Sequence, residues 1–262
     1  MLKNSSIYLI SVFISTLIGF ITLPFFTKYL TVSDYGVLAL FILFGSIAAN
    51  SLSFGLQSAV FRFYFKYDKI EFIILNSTII LFTISIFSLA GVIIIFPLAP
   101  WISSFIFDNE ITEDLIKLSY ISGCLHYFYM YFNHLLTIQK RAISSSVLTI
   151  SHILVNVGLT FYLIKYQSLT YMAAIYAFVI ANFCISLLAV IFNYMQFKAK
   201  FSLRNLRKAI IFAYVEVPTL LVSLLYGSFD KGMLANKQGS SSVGYYEFGS
   251  KFAIIIKAFM DA

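Results

Sequence analysis

The chain has 262 residues, of which 60% are hydrophobic and only 11% charged, with a mean hydropathy of +0.91. Soluble domains carry roughly 45–50% apolar and about 25% charged residues, so a water-soluble fold of this length has too little interior for so much apolar surface. The net charge of +7 does not indicate a nucleic-acid partner, because the cations are spread thinly between long apolar runs and form no single basic face.

Eight apolar runs approach the ~20 residues that cross a bilayer: 7–27, 36–60, 73–97, 115–138, 143–164, 171–194, 209–229 and 243–260. All are expected to be helices, since an open sheet edge cannot face lipid. The expected fold class is all-α, a polytopic transmembrane bundle. The first run is too long for a signal-peptide core, lacks an A-x-A-like cleavage site and is followed by further spans.

The segment 24–67 joins the first two runs into a hairpin. Its turn, Thr31-Val32-Ser33-Asp34-Tyr35-Gly36, has helix-start chemistry, with Ser33 or Asp34 as the expected cap. Its exit, Phe61-Arg62-Phe63-Tyr64-Phe65-Lys66, places cations and rings where hydrocarbon meets water. Helical spacing puts Arg62 on the face of Phe65 and Lys66.

An acidic loop, 108–114, follows the third run. Cys124 and Cys184 lie within apolar runs and suit small buried hydrophobes rather than a disulfide or metal site. His126, His134 and His152 lack metal-ligand spacing, and Asn133, Asn156 and Asn182 read as polar glue between helices.

The basic segment 195–208 separates six runs from two. The expected domains are a six-helix lobe over 1–194, a linker over 195–208, and the first two helices of a truncated second lobe over 209–262. Helices of an incomplete lobe leave faces without partners, so the last two are expected to pack poorly. With the N-terminus inside, the inner segments hold 11 of the Lys and Arg residues and the outer segments 5. That bias favours a cytoplasmic N-terminus and a cytoplasmic linker.

Two blocks of this sequence resemble a family. The first is Leu30, Thr31, Asp34, Tyr35 and Gly36, followed by Gly55, Leu56, Ser58, Ala59, Phe61, Arg62, Phe63, Tyr64 and Phe65. The second comprises Pro218, Asp230, Lys231, Leu234, Gly239, Val243, Gly244, Tyr246, Lys251 and Ala253. Together they are similar to polysaccharide-export flippases of the multidrug/oligosaccharidyl-lipid/polysaccharide exporter superfamily. Lys231 stands where those proteins carry Arg, and Glu216 where they carry an apolar residue. The resemblance implies two lobes around a central cavity and transport by alternating access. It implies a lipid-pyrophosphate-linked oligosaccharide as substrate, moved across the cytoplasmic membrane for surface polysaccharide synthesis. The implied partners are the lipid bilayer and other polysaccharide-assembly membrane proteins, with no cofactor and no nucleic acid.

On this reading Arg62, Lys66 and Lys28 are candidates for binding the pyrophosphate. Arg offers a planar fork matched to phosphate oxygens. The competing reading of all three is an anchor at the headgroups, reached by snorkelling. Glu216, Asp230 and Lys231 are candidates for gating or coupling. Glu216 lies about a third of the way into the seventh run, and an acid within the membrane is a functional candidate by default. Its alternative is a simple pairing with Arg207 or Lys208. Asp230 and Lys231 close the outer end of the same run, with a solvated loop pair as the alternative. The sequence has no P-loop, dinucleotide signature or catalytic triad pattern, so a transporter is expected rather than an enzyme. A drug or cation exporter of the same superfamily and an inactive fragment are the rival readings. A membrane-embedded polymerase fits less well, because the loop at 108–114 is too short for a catalytic domain.

Overall fold

A computed structural model describes the backbone of residues 2–106, 111–167, 170–198 and 200–260, and the side chains of these apart from 2–5, 106, 220–221, 223–228, 251–252 and 254–260. Asp108, Asn109 and Glu110 of the acidic loop and the side chain of Lys251 therefore lie outside the described residues. The described chain is helical throughout, without a strand. It is an all-α polytopic bundle, as the apolar runs require.

Helix α1 spans Leu2–Tyr29 and α2 spans Val32–Leu52. The cap of α2 is Thr31, two residues before Ser33 and three before Asp34. The Thr31 hydroxyl accepts the Asp34 N–H at 3.2 Å, and the Thr31 N–H donates to Asp34 Oδ2 at 2.8 Å. This T-x-x-D arrangement satisfies two backbone donors reciprocally, which neither Ser33 nor Asp34 could do alone. The run 36–60 is broken rather than continuous. Phe54 (φ 49°) and Gly55 (φ 67°) both occupy the left-handed region, and a short helix, α3 (Leu56–Tyr64), restarts beyond them. Phe65 and Lys66 lie past its end, so they do not share a helical face with Arg62.

Helix α4 (Lys69–Ala90) is capped by Asp68, whose Oδ1 accepts the Glu71 N–H at 2.8 Å. It runs through a π-helical turn, Gly91–Ile95, into α5 (Phe96–Ile106), making the third span longer than the expected 73–97. Pro97 and Pro100 lack backbone donors, and the wider turn lies just before them. Tyr120 of the next helix fills the gap and donates its hydroxyl to the Phe87 carbonyl at 2.6 Å.

Helices α6 (Glu113–Ile138), α7 (Ala142–Gln167) and α8 (Tyr171–Phe192) complete the first bundle. Among the described residues, five helical segments are long and apolar enough to cross a membrane: Ser6–Tyr29, Val32–Leu52, Lys69–Phe105, Ala142–Gln167 and Tyr171–Phe192. The 26-residue α6 is as long but richer in Tyr, Ser and His. Its position explains the difference: it runs between α2 and α8, with Ser119, Ser122, Tyr127 and Tyr131 buried against protein rather than lipid. Gly45 and Gly123 let α2 and α6 touch backbone to backbone, and Ser119 Oγ donates to the Phe41 carbonyl there.

The basic segment at 195–208 is not a free loop. Asn76, Ser77 and Thr78, consecutive buried polar residues of α4, hold it down. Asn76 Nδ2 donates to the Gln196 carbonyl (3.0 Å), Ser77 Oγ accepts the Lys198 N–H (2.9 Å), and Thr78 Oγ1 accepts the Ser202 N–H (3.1 Å). Tyr131 completes the set by donating to Asn76 Oδ1 at 2.6 Å. Helix α9 (Leu203–Ala213) then crosses the expected boundary at 209. Its Leu206, Ala209 and Ala213 recur at helical spacing and are buried where α9 meets α3 and α4.

A 3-10 turn, Tyr214–Glu216, precedes α10 (Val217–Gln238). Pro218 sits in the first turn of α10, where no intrahelical donor is missed. Glu216 is therefore exposed at a helix break and not a third of the way into a span. Helix α10 also runs to Gln238, so Asp230 and Lys231 lie inside it rather than at its end. After Gly239 (φ 78°) the chain turns into α11 (Ser240–Met260).

Candidate functional site

Chain direction sorts the charged candidates between two ends of the bundle. One end carries the α3–α4 turn and α9; the other carries the α1–α2 and α10–α11 turns.

At the first end, α3 and α9 lie side by side. The guanidinium of Arg62 stands 4.7 Å from the centroid of the Phe212 ring. Phe212 meets Phe63 edge-on at 6.2 Å, and Phe63 stacks on Tyr67 at 4.8 Å. Lys208 donates to the Tyr67 hydroxyl at 3.2 Å and lies 5.4 Å from that ring. Aromatic rings thus fix two cations along one seam at the cost of little charge neutralisation. Arg62, Lys66, Arg204, Arg207 and Lys208 are all exposed, and none forms an ion pair among the described residues. A guanidinium stacked on a ring keeps its N–H edge free for an anion, which is the arrangement a phosphate requires.

Lys28 is at the opposite end, exposed in the last turn of α1 and 5.8 Å from the Tyr29 ring. The structure brings Arg62 and Lys66 to one end of the bundle and leaves Lys28 far from them.

Asp230 and Lys231 have neighbours on α11. Lys231 Nζ lies 2.6 Å from Glu247 Oε2, and both side chains are 23% exposed. Tyr246 donates to Asp230 Oδ2 at 3.1 Å. These contacts tie α10 to α11, not to the first bundle. Sequence reading missed Glu247, although an acid inside the run 243–260 is the same kind of signal that drew attention to Glu216.

The hairpin turns at 31–36 and 239–245 abut. Ser33 Oγ and Ser240 Oγ are 2.8 Å apart. Gly36 rests on the backbone of Ser240, and Gly244 on the backbone of Val32, with no room for a Cβ at either glycine. Val243 and Ala235 are buried in a cluster with Leu40, Phe41, Ile116 and Ile175. Contrary to expectation, the described start of α11 is packed closely on α2. Small residues at the crossing permit this approach.

Midway along the first bundle is a polar group that spacing did not foreshadow. His126 Nδ1 on α6 and His152 Nε2 on α7 lie 3.1 and 2.9 Å from the same atom, Asn182 Oδ1 of α8. Asn182 is fully buried, and its Nδ2 donates to Ser122 Oγ at 3.1 Å. The Tyr129 ring stacks on His152 at 4.7 Å with an interplanar angle of 5°. His126 also borders a cavity of about 70 Å3 lined by Ser46, Ser119, Ser122 and Gly123. Among the described residues no group of three or more His, Cys, Asp or Glu could hold a metal ion.

The model of one protein family, described as polysaccharide biosynthesis protein, matches residues 1–260. A protein of Haemophilus influenzae, described as an uncharacterized membrane protein, is 24% identical over 269 aligned positions. The match covers 100% of this chain but 63% of that protein, so the chain spans less than two thirds of the relative's length. No solved structure matches significantly.

Proposed function

Because this chain belongs to the polysaccharide biosynthesis protein family, we propose that it forms part of a flippase that moves a lipid-linked oligosaccharide across the cytoplasmic membrane. Its N-terminus would lie in the cytoplasm, together with the α3–α9 seam and most of the Lys and Arg residues. The segments 1–194 and 209–262 would belong to two lobes that rock to give alternating access. Other polysaccharide-assembly membrane proteins would be its partners.

The observation that carries this reading is the unneutralised cation group in which Arg62 and Lys208 lie over aromatic rings and Lys66 is exposed at the same end of the bundle. The physical problem is a carrier whose tail is at home in the bilayer and whose pyrophosphate is not. A cytoplasmic cation cluster gathers the anion, and an inside-negative potential favours its outward passage by about 2.3 kcal/mol per charge per 100 mV. Lys28 at the far end would receive it. Asp230 and Lys231, braced by Tyr246 and Glu247, would keep α10 and α11 moving as one body, and Glu216 would sit at the hinge before them.

Arg62→Ala tests the reading. It should abolish surface glycan at matched protein level, while Arg62→Lys retains part of it, because the charge remains and the bidentate geometry goes. Wild-type glycan display from Arg62→Ala would leave Arg62 as a headgroup anchor only.

A further inference from the structure

We propose that helix α9 carries a docking surface for anionic phospholipid on the flank it turns away from the bundle, formed by Leu203, Arg204, Arg207, Ile210, Ile211 and Tyr214. The ligand is the surrounding leaflet and not a transported cargo, and its binding does not rest on the transport reading.

Helix α9 has three flanks with different surroundings. Leu206, Ala209 and Ala213 are buried where α9 meets α3 and α4. Lys208 and Phe212 lean the other way, onto Tyr67 and Phe63. The third flank runs through Leu203, Arg207, Ile210 and Tyr214, at intervals of four, three and four residues, which set the side chains one above another on a helix. All four are exposed, Leu203 at 73% and Tyr214 at 74%. Arg204 and Ile211 border the stripe and are exposed as well. One exposed leucine needs no account, but an apolar stripe with an arginine in its middle does. It is the pattern of a helix at the headgroup boundary, with apolar side chains among the acyl chains and the guanidinium snorkelling to phosphate.

The charge is of one sign. Residues 195–213 hold five cations, Lys198, Lys200, Arg204, Arg207 and Lys208, and no Asp or Glu. Among the described residues Arg204 and Arg207 neither pair with an acid nor lie over a ring, unlike Arg62 and Lys208. Two free guanidinium forks on one side of a short helix match phosphodiester oxygens. A leaflet with net negative headgroups complements them, and a zwitterionic one does so less, because each phosphate there is offset by its own cation.

The position of α9 decides between lipid and a soluble acidic partner. Thr78 of α4 holds Ser202, the cap of α9. Residues 75–80 of α4 are buried, and exposed large apolar side chains follow at Leu81 and Ile84. Thr78 is thus about 4.5 Å along the helix from the point where α4 turns apolar surface outward. The span Tyr171–Phe192 ends beside the same place, since Asn76 holds Gln196. Both spans therefore put the start of α9 at the edge of the hydrocarbon. A lipid-held α9 fixes the point from which α10 departs.

The test uses the purified full chain in nanodiscs of equal phosphatidylglycerol and phosphatidylcholine, with only one of the two brominated on its upper acyl carbons. With Cys124 and Cys184 replaced by Ala, a single cysteine at Leu203, Ile210 or, on the opposite flank, Asn205 carries a bimane label. Labels at 203 and 210 should be quenched strongly and the label at 205 weakly. Brominated phosphatidylglycerol should quench the label at 210 at least twice as effectively as brominated phosphatidylcholine. Arg204→Gln with Arg207→Gln should bring that ratio to one, and Arg204→Lys with Arg207→Lys should keep most of it. Absence of quenching at 203 and 210 by either lipid overturns the docking surface and leaves the stripe to a protein partner. Equal quenching by both lipids in the unsubstituted helix overturns the preference for anionic lipid. A ratio unchanged by the double Gln variant overturns the role of the two arginines.

Discussion

The two ends of the bundle hold their helices together by opposite means. Where α2 meets α11, the contact is backbone on backbone at Gly36 and Gly244, sealed by the Ser33–Ser240 hydrogen bond. Where α3 meets α9, it is made by large rings, Phe63, Tyr67 and Phe212, with cations lying over them. A contact without side-chain volume has little to adjust: it is made or it is lost. A contact through rings and long flexible cations tolerates displacement and leaves charge free for a ligand. The first kind suits a closure between two halves, and the second suits a surface that must handle something variable.

The largest expected effect comes from putting volume into the first contact. Gly244→Leu would drive a side chain into the Val32 backbone, a clash for which overpacking figures of about 1–3 kcal/mol are a lower guide. With Cys124 and Cys184 replaced by Ala, Ser33→Cys with Ser240→Cys should form an intramolecular disulfide in high yield. Adding Gly244→Leu should cut that yield at least tenfold, read from the linked peptides by mass spectrometry. An undiminished yield would mean that the glycine contact is not what joins α2 to α11.

The second effect tests the other end. Asn76→Ala removes the donor to the Gln196 carbonyl and the acceptor for Tyr131, at about 1–3 kcal/mol for the groups left unpaired. Trypsin should then cut at Lys198 and Lys200 roughly tenfold faster, with α4 otherwise intact. Cleavage at the wild-type rate would show that the strap is held by something other than α4.

The smallest effect concerns the brace between α10 and α11. Lys231 and Glu247 are partly exposed, and pairs of that kind contribute ~0.2–1 kcal/mol. Lys231→Glu should lower the thermal midpoint slightly, and adding Glu247→Lys should restore it. A double variant no better than the single one would deny the pairing.

The class of fold was plain from the sequence because hydropathy and length are local quantities, and the runs 7–27, 73–97, 143–164 and 171–194 obey both. The misplacements have one cause in common: a contact that hydropathy does not encode. Leu206 reads as part of a basic linker, and Ala209 and Ala213 as the start of the run 209–229, because the surface that buries all three belongs to α3 and α4. The break at Phe54 and Gly55 lay inside a run of even hydropathy. Thr31 was passed over as cap although its spacing to Asp34 was on view. Among the candidate residues, Arg62 was identified from composition and resemblance, but its partner Phe212 is 150 positions away and no period links them. The meeting of His126, His152 and Asn182 was likewise invisible, since it depends on the rotation of three helices about their own axes.

The strap laid across Asn76, Ser77 and Thr78 sets a limit on reach. Because residues 196–213 are fastened to the first bundle, the slack between that bundle and α10 is not the whole basic segment but the three residues Tyr214–Glu216. Fully drawn out, three residues span about 10 Å. The start of α10 is thus on a short leash, free to swivel about its pivot but unable to travel further without peeling α9 from its seat beneath Arg62.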